Sequence, residues 1–174
     1  EADLPGMLAN KRRILAQLGG ETAHHRTAEI NALTDSGPTS IDAICATLDP
    51  TKGTAIITEG LINYFDRATV VAIWARFARA LARFPSSIYL SDLIMREGNE
   101  SPVIAAFSWV LSAFVRGKVH MHFDSSAEAE AALASAGLPG MLLDPRELAE
   151  ELPGIELAGA GRVRIIEAFA EKSA

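Results

Sequence analysis

The run TAIITEGLINYF, Thr54–Phe65, opens as a short apolar, partly β-branched segment and then sets an acid, Glu59, against a glycine, Gly60. Continuous apolar runs of this length suit a parallel strand covered on both faces. A carboxylate where such a strand gives way to a loop is badly placed for a core and well placed for a ligand.

The flanking sequence alternates between helix and strand. Upstream, Pro5 suits the first turn of an amphipathic helix, GMLANKRRILAQLGG, with Met7, Leu8, Ile14, Leu15 and Leu18 at helical spacings and Gly19 and Gly20 closing it. HHRTAEINALTD has a strand-like centre, and Ser40 caps a short predicted helix through IDAICATL that stops before Asp49 and Pro50. Downstream, Asp66 caps a long helix whose Val70, Ile73, Trp74, Phe77, Leu81 and Phe84 form a stripe, with Arg67, Arg76, Arg79 and Arg83 largely off it and Pro85 ending it. SIYLSDL reads as a strand, and Ser101 with Pro102 starts an apolar helix running toward Arg116. KVHMHF alternates, placing Val119, Met121 and Phe123 on one face of a predicted strand and His120 and His122 on the other. Ser125 and Glu128 have capping-box spacing for AEAEAALASA, which Gly137 closes; Asp144 and Pro145 open a short helix, and RVRIIEAF is the last strand. Strands interleaved with helices predict an α/β fold with a mostly parallel sheet and flanking helices.

A chain of 174 residues with 49% hydrophobic content can bury one sizeable core, so a single domain is expected. The net charge of -6 disfavours nucleic acid and anionic lipid surfaces as partners. Cys45 is the only cysteine, which excludes an internal disulfide and Cys-rich zinc sites and fits a reducing cytoplasm. The apolar stretch SPVIAAFSWVLSAFV is shorter than the roughly 20 residues of a membrane span, is closed by Arg116 and Lys118, and reads as a packed helix.

In open α/β sheets, ligands sit outside the carboxyl ends of the strands. Asp3 beside Glu1, Asn31 after RTAEI and Glu59 after TAIIT fall at such ends. A carboxylate there can accept both ribose hydroxyls of a nucleoside, and an Asn side chain or nearby backbone amides can read a base edge. Each of these residues also suits a turn or a helix cap.

EADLPGMLANKRRIL, then NAL, then ITEGLINYFD resemble the leucine carboxyl methyltransferase-like family, especially its bacterial small-molecule O-methyltransferase branch. The family patterns read approximately as E-x-D-x-P near the second strand and E-G-L-x-x-Y after the fourth. The order of elements matches over nearly the whole chain. The resemblance implies a Rossmann-like class I methyltransferase fold with S-adenosylmethionine as cofactor. By position, it implies that Asp3 meets the cofactor ribose, Asn31 and Ala32 flank the adenine, Glu59 and Gly60 lie beside the sulfonium and amino acid portion, and Tyr64 lines the substrate side. The carboxyl methyltransferases carry an acid where Asn31 stands. The family's first strand and its Gly-rich turn have no counterpart here. Residues 1–174 are therefore expected to be the carboxyl-terminal portion of one methyltransferase domain, associating with the missing amino-terminal portion or forming a homodimer.

The activity implied is transfer of a methyl group to a hydroxyl or carboxyl oxygen of a small molecule. Such an in-line displacement rests on alignment, with a general base needed only for a hydroxyl acceptor. No base is evident, although His120 and His122 are candidates. His24 and His25 are adjacent, would point to opposite faces of a strand, and so make a poor metal pair. The arginines of the long helix suit a solvated face or an acidic substrate, and Trp74, Phe107 and Trp109 suit a core or dimer contact. The alternative from another class is a non-catalytic, methyltransferase-like binding or dimerisation module. A third reading is a Rossmann-type dehydrogenase using Asp3 for a dinucleotide ribose, in which EGLINY has no natural place.

Overall fold

The computed structural model describes residues 1–96, 120–151, 153–155 and 160–171. The chain divides into two compact units, Glu1–Thr51 and Lys52–Ala174.

In the first unit, strands β1 (Ala2–Asp3) and β2 (Ala28–Glu29) pair in parallel, with Ala2 opposite Ala28 and Asp3 opposite Glu29. Helix α1 (Pro5–Gln17) follows β1 directly, with Pro5 in its first turn. Gly19 and Gly20 leave it at φ of 106° and 81°, where a Cβ would be strained, and the Gly20 N–H donates to the Leu15 carbonyl at 2.8 Å. The predicted apolar stripe of α1 is only partly buried: Leu8 is enclosed, while Met7, Ile14 and Leu18 are exposed. Within this unit the helix has only a two-stranded sheet to pack on, too narrow to cover the stripe. Helix α2 (Ile41–Cys45) is capped by Ser40, whose Oγ accepts the Ala43 N–H at 3.2 Å, and it buries Ile41 and Cys45.

The second unit holds a four-stranded sheet in the order β3 (Thr54–Thr58), β4 (Ser87–Ile94), β6 (Val163–Ala168), β5 (Gly140–Leu143). β3 and β4 are parallel, whereas β6 runs antiparallel to both β4 and β5. The sheet is therefore mixed rather than mostly parallel. The link from β5 to β6 carries two 3-10 turns among its described residues and no crossover α-helix of the kind that keeps neighbouring strands parallel.

Helix α3 (Arg67–Leu81) is capped by Asp66, which accepts the Thr69 N–H at 2.9 Å. The stripe predicted for it, Val70, Ile73, Trp74, Phe77 and Leu81 with Phe84 beyond, is buried throughout. Phe77 meets Tyr89 of β4 at 5.3 Å between ring centroids, and Trp74 stacks on Phe123 at 5.8 Å. Helix α4 (Ser126–Ser135) packs against β5, with Ala129, Ala132 and Leu133 inward. Gly137 at φ 84° closes α4 as a Schellman motif, its N–H donating to the Ala134 carbonyl and that of Leu138 to the Leu133 carbonyl.

Two expectations for this unit are corrected. β3 is covered on one face only. Ile56, level with Tyr89, is buried on the side facing α3, while Ala55 is exposed and Ile57 is 69% exposed on the other. Residues 120–123 of KVHMHF are not a strand. β4, from which they hang through Asn63, already pairs with β3 and β6, and their backbone bonds go to Asn63 and Arg96. The predicted helix after Ser101 and Pro102, with Phe107 and Trp109, lies outside the described residues. Among the described residues no helix is long and apolar enough to cross a membrane.

Candidate functional site

In the first unit, the short parallel ladder brings three of the predicted residues to one edge. Asp3 ends β1, and the Ile30 N–H beyond β2 donates to the Asp3 carbonyl at 3.0 Å, so Asn31 and Ala32 leave β2 beside it. Asp3 Oδ1 accepts the Leu4 N–H at 2.8 Å, and Oδ2 lies 3.8 Å from the Lys11 ammonium. Lys11 belongs more closely to Glu1, which also meets His25 Nε2 at 3.2 Å; these contacts, Lys11 first, hold the Glu1 carboxyl below its usual range.

Asn31 is half-buried and organises a turn. Its N–H donates to the Thr39 carbonyl at 2.9 Å, and its Oδ1 accepts the Leu33 N–H at 3.0 Å. The side-chain oxygen is spent on the loop, leaving the amide nitrogen as the group able to read a base. A hollow of about 340 Å³, bounded by Arg12, Glu29, Pro38, Thr39, Ile44 and Thr47, includes none of the predicted residues.

In the second unit, Glu59 and Gly60 are exposed at the carboxyl end of β3, and Glu59 makes no hydrogen bond or ion pair among the described residues. Gly60 takes φ of 59° and donates its N–H to Asp92 Oδ1 on β4 at 2.7 Å. Asp92 was not foreseen as a site residue. The signal available was an acid inside an apolar strand, and only the register that places Ser91 opposite Thr58 brings it level with Glu59. Beneath this edge, the Thr58 hydroxyl bonds to Tyr89 Oη at 2.9 Å and donates to Ser91 Oγ at 2.8 Å, and burial pushes the Tyr89 phenol up.

Asn63, also unforeseen, is buried and fastens the turn. Its Oδ1 accepts the Ile94 N–H at 2.9 Å, and its Nδ2 donates to the carbonyls of Ile94 at 2.8 Å and His120 at 2.6 Å. The His120 N–H returns a bond to the Asn63 carbonyl at 2.8 Å. Tyr64, next in sequence, is 41% exposed.

His120 and His122 stack with ring centroids 5.6 Å apart and planes 11° from parallel. His122 Nε2 bonds to the Phe65 carbonyl, and its Nδ1 is buried with no hydrogen-bond partner among the described residues. Burial lowers the His122 pKa, with the Phe65 bond opposing. Trp74 is core, as its stripe implied, and Arg67 lies 4.9 Å above the Phe123 ring while pairing with Glu128. Among the described residues no group of three or more His, Cys, Asp or Glu could hold a metal ion.

No family model and no curated protein matches the chain. Solved structures do. An O-methyltransferase family protein from Burkholderia thailandensis matches 99% of this chain at 15% identity with a TM-score of 0.58. Human N-acetylserotonin methyltransferase in complex with S-adenosylmethionine matches 99% at 11% identity and 0.57. An O-methyltransferase from neocarzinostatin biosynthesis, in complex with S-adenosylmethionine and 2-hydroxy-5-methyl naphthoic acid, matches 98% at 18% identity and 0.54. The chain spans 43%, 40% and 40% of those proteins respectively. At these identities the likeness shows the fold alone: the chain has an α/β fold like that of the matching portion of these methyltransferases.

Proposed function

We propose that this chain is part of an enzyme that transfers a methyl group from S-adenosylmethionine to an oxygen of a small molecule. The observation that carries the reading is the position of Asp3 and Glu59, each at the carboxyl end of a parallel strand, in a chain with a methyltransferase fold. The solved structures that resemble it include two bound to S-adenosylmethionine, one of them together with a small aromatic acid.

The donor set suits the cofactor. S-adenosylmethionine offers hydroxyls, an ammonium group and a sulfonium, all of which favour carboxylate partners. When bound it supplies an electrophilic methyl group. In the first unit, Asp3 is assigned to the ribose, and Asn31 with Ala32 to the adenine. Asp3 keeps Oδ2 for a hydroxyl, with the Lys11 ammonium 3.8 Å from it. In the second unit, Glu59 is assigned to the cationic end of the cofactor, and Gly60 lets the chain pass close to it because no side chain intervenes. Tyr64, exposed beside the Asn63 clamp, is assigned to the methyl acceptor.

Isothermal titration of the chain, and of any longer form its gene encodes, with S-adenosylmethionine tests this reading. Micromolar binding is expected, and Asp3→Ala or Glu59→Ala should each weaken it about ten- to hundred-fold, the worth of a charge-assisted hydrogen bond. Absence of binding in every form would favour a methyltransferase-like module that acts without the cofactor. Unchanged binding in Glu59→Ala would remove that residue from the site.

A further inference from the structure

The hollow in the first unit, about 340 Å³, is lined by none of the residues assigned to the cofactor or the methyl acceptor. Its size is at the small end of the range for small-molecule sites. Arg12 of α1 and Glu29 of β2 bring opposite charges to its wall, and Pro38, Ala43 and Ile44 supply apolar surface. Both charged side chains are exposed.

Arg12 is held in place by a short relay. Its Nε donates to Thr27 Oγ1 at 2.8 Å and its Nη2 to the Thr27 carbonyl at 3.3 Å. Behind Thr27, a Glu21 oxygen accepts the Thr27 N–H at 2.9 Å and the Thr27 hydroxyl. These bonds, the hydroxyl first, hold the Glu21 carboxyl below its usual range, so it is an anion at neutral pH. An anion only accepts, so the Thr27 hydrogen is committed to Glu21 and its oxygen is left to accept from Arg12. Two of the five guanidinium N–H groups are used in this way, and three remain, both of those on Nη1 among them. Glu29 makes no hydrogen bond or ion pair among the described residues. The two charges are therefore not satisfied by each other. Thr27, which anchors Arg12, stands two residues before Glu29, and two residues of extended chain span about 7 Å.

We infer that the hollow binds a free α-amino acid with an aliphatic side chain, its carboxylate on Arg12 and its ammonium on Glu29, at a site separate from the one assigned to S-adenosylmethionine. A planar guanidinium fork suits a carboxylate, and a carboxylate such as Glu29 accepts from an ammonium. A simple anion in the hollow would also face Glu29, and a simple cation would also face Arg12; a molecule carrying both charges avoids either repulsion. An α-amino acid carries them on one carbon, and with a hydrogen bond of about 3 Å at each end it bridges a gap of the size that separates the two anchors. Its aliphatic side chain is then left for Pro38, Ala43 and Ile44. This inference does not depend on the methyltransferase reading.

The test is an NMR titration of the full chain, and of any longer form its gene encodes, with L-valine, isovaleric acid and isobutylamine. Isovaleric acid lacks the ammonium of valine, and isobutylamine lacks its carboxylate. Valine is expected to bind at millimolar concentration or below, shifting the resonances of Arg12, Glu29 and Ala43, and each analogue should bind about tenfold more weakly. Glu29→Gln should bind valine and isovaleric acid equally, and Arg12→Gln should bind valine and isobutylamine equally. Ala43→Phe, which fills the hollow, should abolish binding of all three. Saturating S-adenosylmethionine should leave the valine affinity within about twofold. No response to valine, no preference for it over the two analogues, or a preference that survives both charge variants would overturn the inference. Displacement of valine by S-adenosylmethionine would put valine in the cofactor site and overturn it too. Should Arg12→Gln disturb α1, the analogues with the parent and with Glu29→Gln still decide the matter. Failure of S-adenosylmethionine to bind in calorimetry would count against the methyltransferase reading and leave the valine result standing.

Discussion

Asn63 shows how one polar side chain can replace a strand. Its carboxamide offers Ile94 an acceptor and a donor, as a neighbouring backbone would, and gives its second N–H to His120. Asn63→Ala would leave buried backbone groups without partners, so a loss on the order of 2 kcal/mol in urea unfolding is expected. Asn63→Asp should cost more, because an oxygen would then face the two carbonyls. An unchanged unfolding midpoint in both variants would show that the clamp contributes nothing. His122 makes a second prediction, in pH. Its folded pKa lies below the usual histidine value, chiefly through burial. Above about pH 6.5 neither state holds the extra proton, and stability is full. As pH falls below that value the unfolded chain binds a proton that the folded ring resists, so stability drops until the folded pKa is passed. Thermal midpoints should therefore decline between about pH 7 and 5, and His122→Phe should flatten that decline. An identical slope in the variant would place the titration elsewhere.

The helices are secured by local chemistry, and local chemistry is what a sequence displays. Ser40, Asp66 and Ser125 each take the first-turn N–H that their spacing predicted. In α4, Glu128 departs slightly from the capping box by reaching back to the Asp124 N–H at 2.9 Å. Ser125→Ala should lower stability by about 1 kcal/mol. Gly137→Ala should do more harm than an Ala substitution at an ordinary exposed position, because its φ is left-handed and the added Cβ would stand 3.3 Å from the Ala78 Cβ. Equal melting temperatures for Gly137→Ala and the parent would refute the cap. The sheet was harder to read. GMLL, which forms β5, is short, follows a turn-like LPG and has no alternation, so only its pairing with β6 makes it a strand. KVHMHF has the alternation, but its described residues 120–123 turn their backbone bonds to Asn63 and Arg96 instead of a ladder. The acids at the ends of β1 and β3 were legible because strand ends follow from local pattern. Asp92 and Asn63 were not, since their roles depend on register and on partners more than twenty residues away.

The two units differ sharply in how much apolar surface they enclose. In Glu1–Thr51 the buried apolar side chains are Leu8, Ile41 and Cys45, whereas Lys52–Ala174 encloses Trp74, Phe77, Tyr89, Leu93, Phe123 and Ile166 among others. A segment of some fifty residues with so thin a core draws little stability from burial, whatever its hydrogen bonding. Amide hydrogen exchange should therefore be fast across β1 and β2 and slowest in β4 and β6, where pairing on both sides and a packed face coincide. S-adenosylmethionine sharpens the prediction. A ligand held only by the folded form adds about 2.7 kcal/mol at a hundred-fold excess over its Kd, and contacts to Asp3, Asn31 and Ala32 would direct protection to the weaker unit. Exchange measured by mass spectrometry with and without S-adenosylmethionine should show slowing in peptides covering residues 1–6 and 26–34 that exceeds any change in β6. Slowing confined to residues after Lys52 would mean that the first unit does not hold the nucleoside, and Asp3 would then be a helix-start residue fastening Leu4 and nothing more.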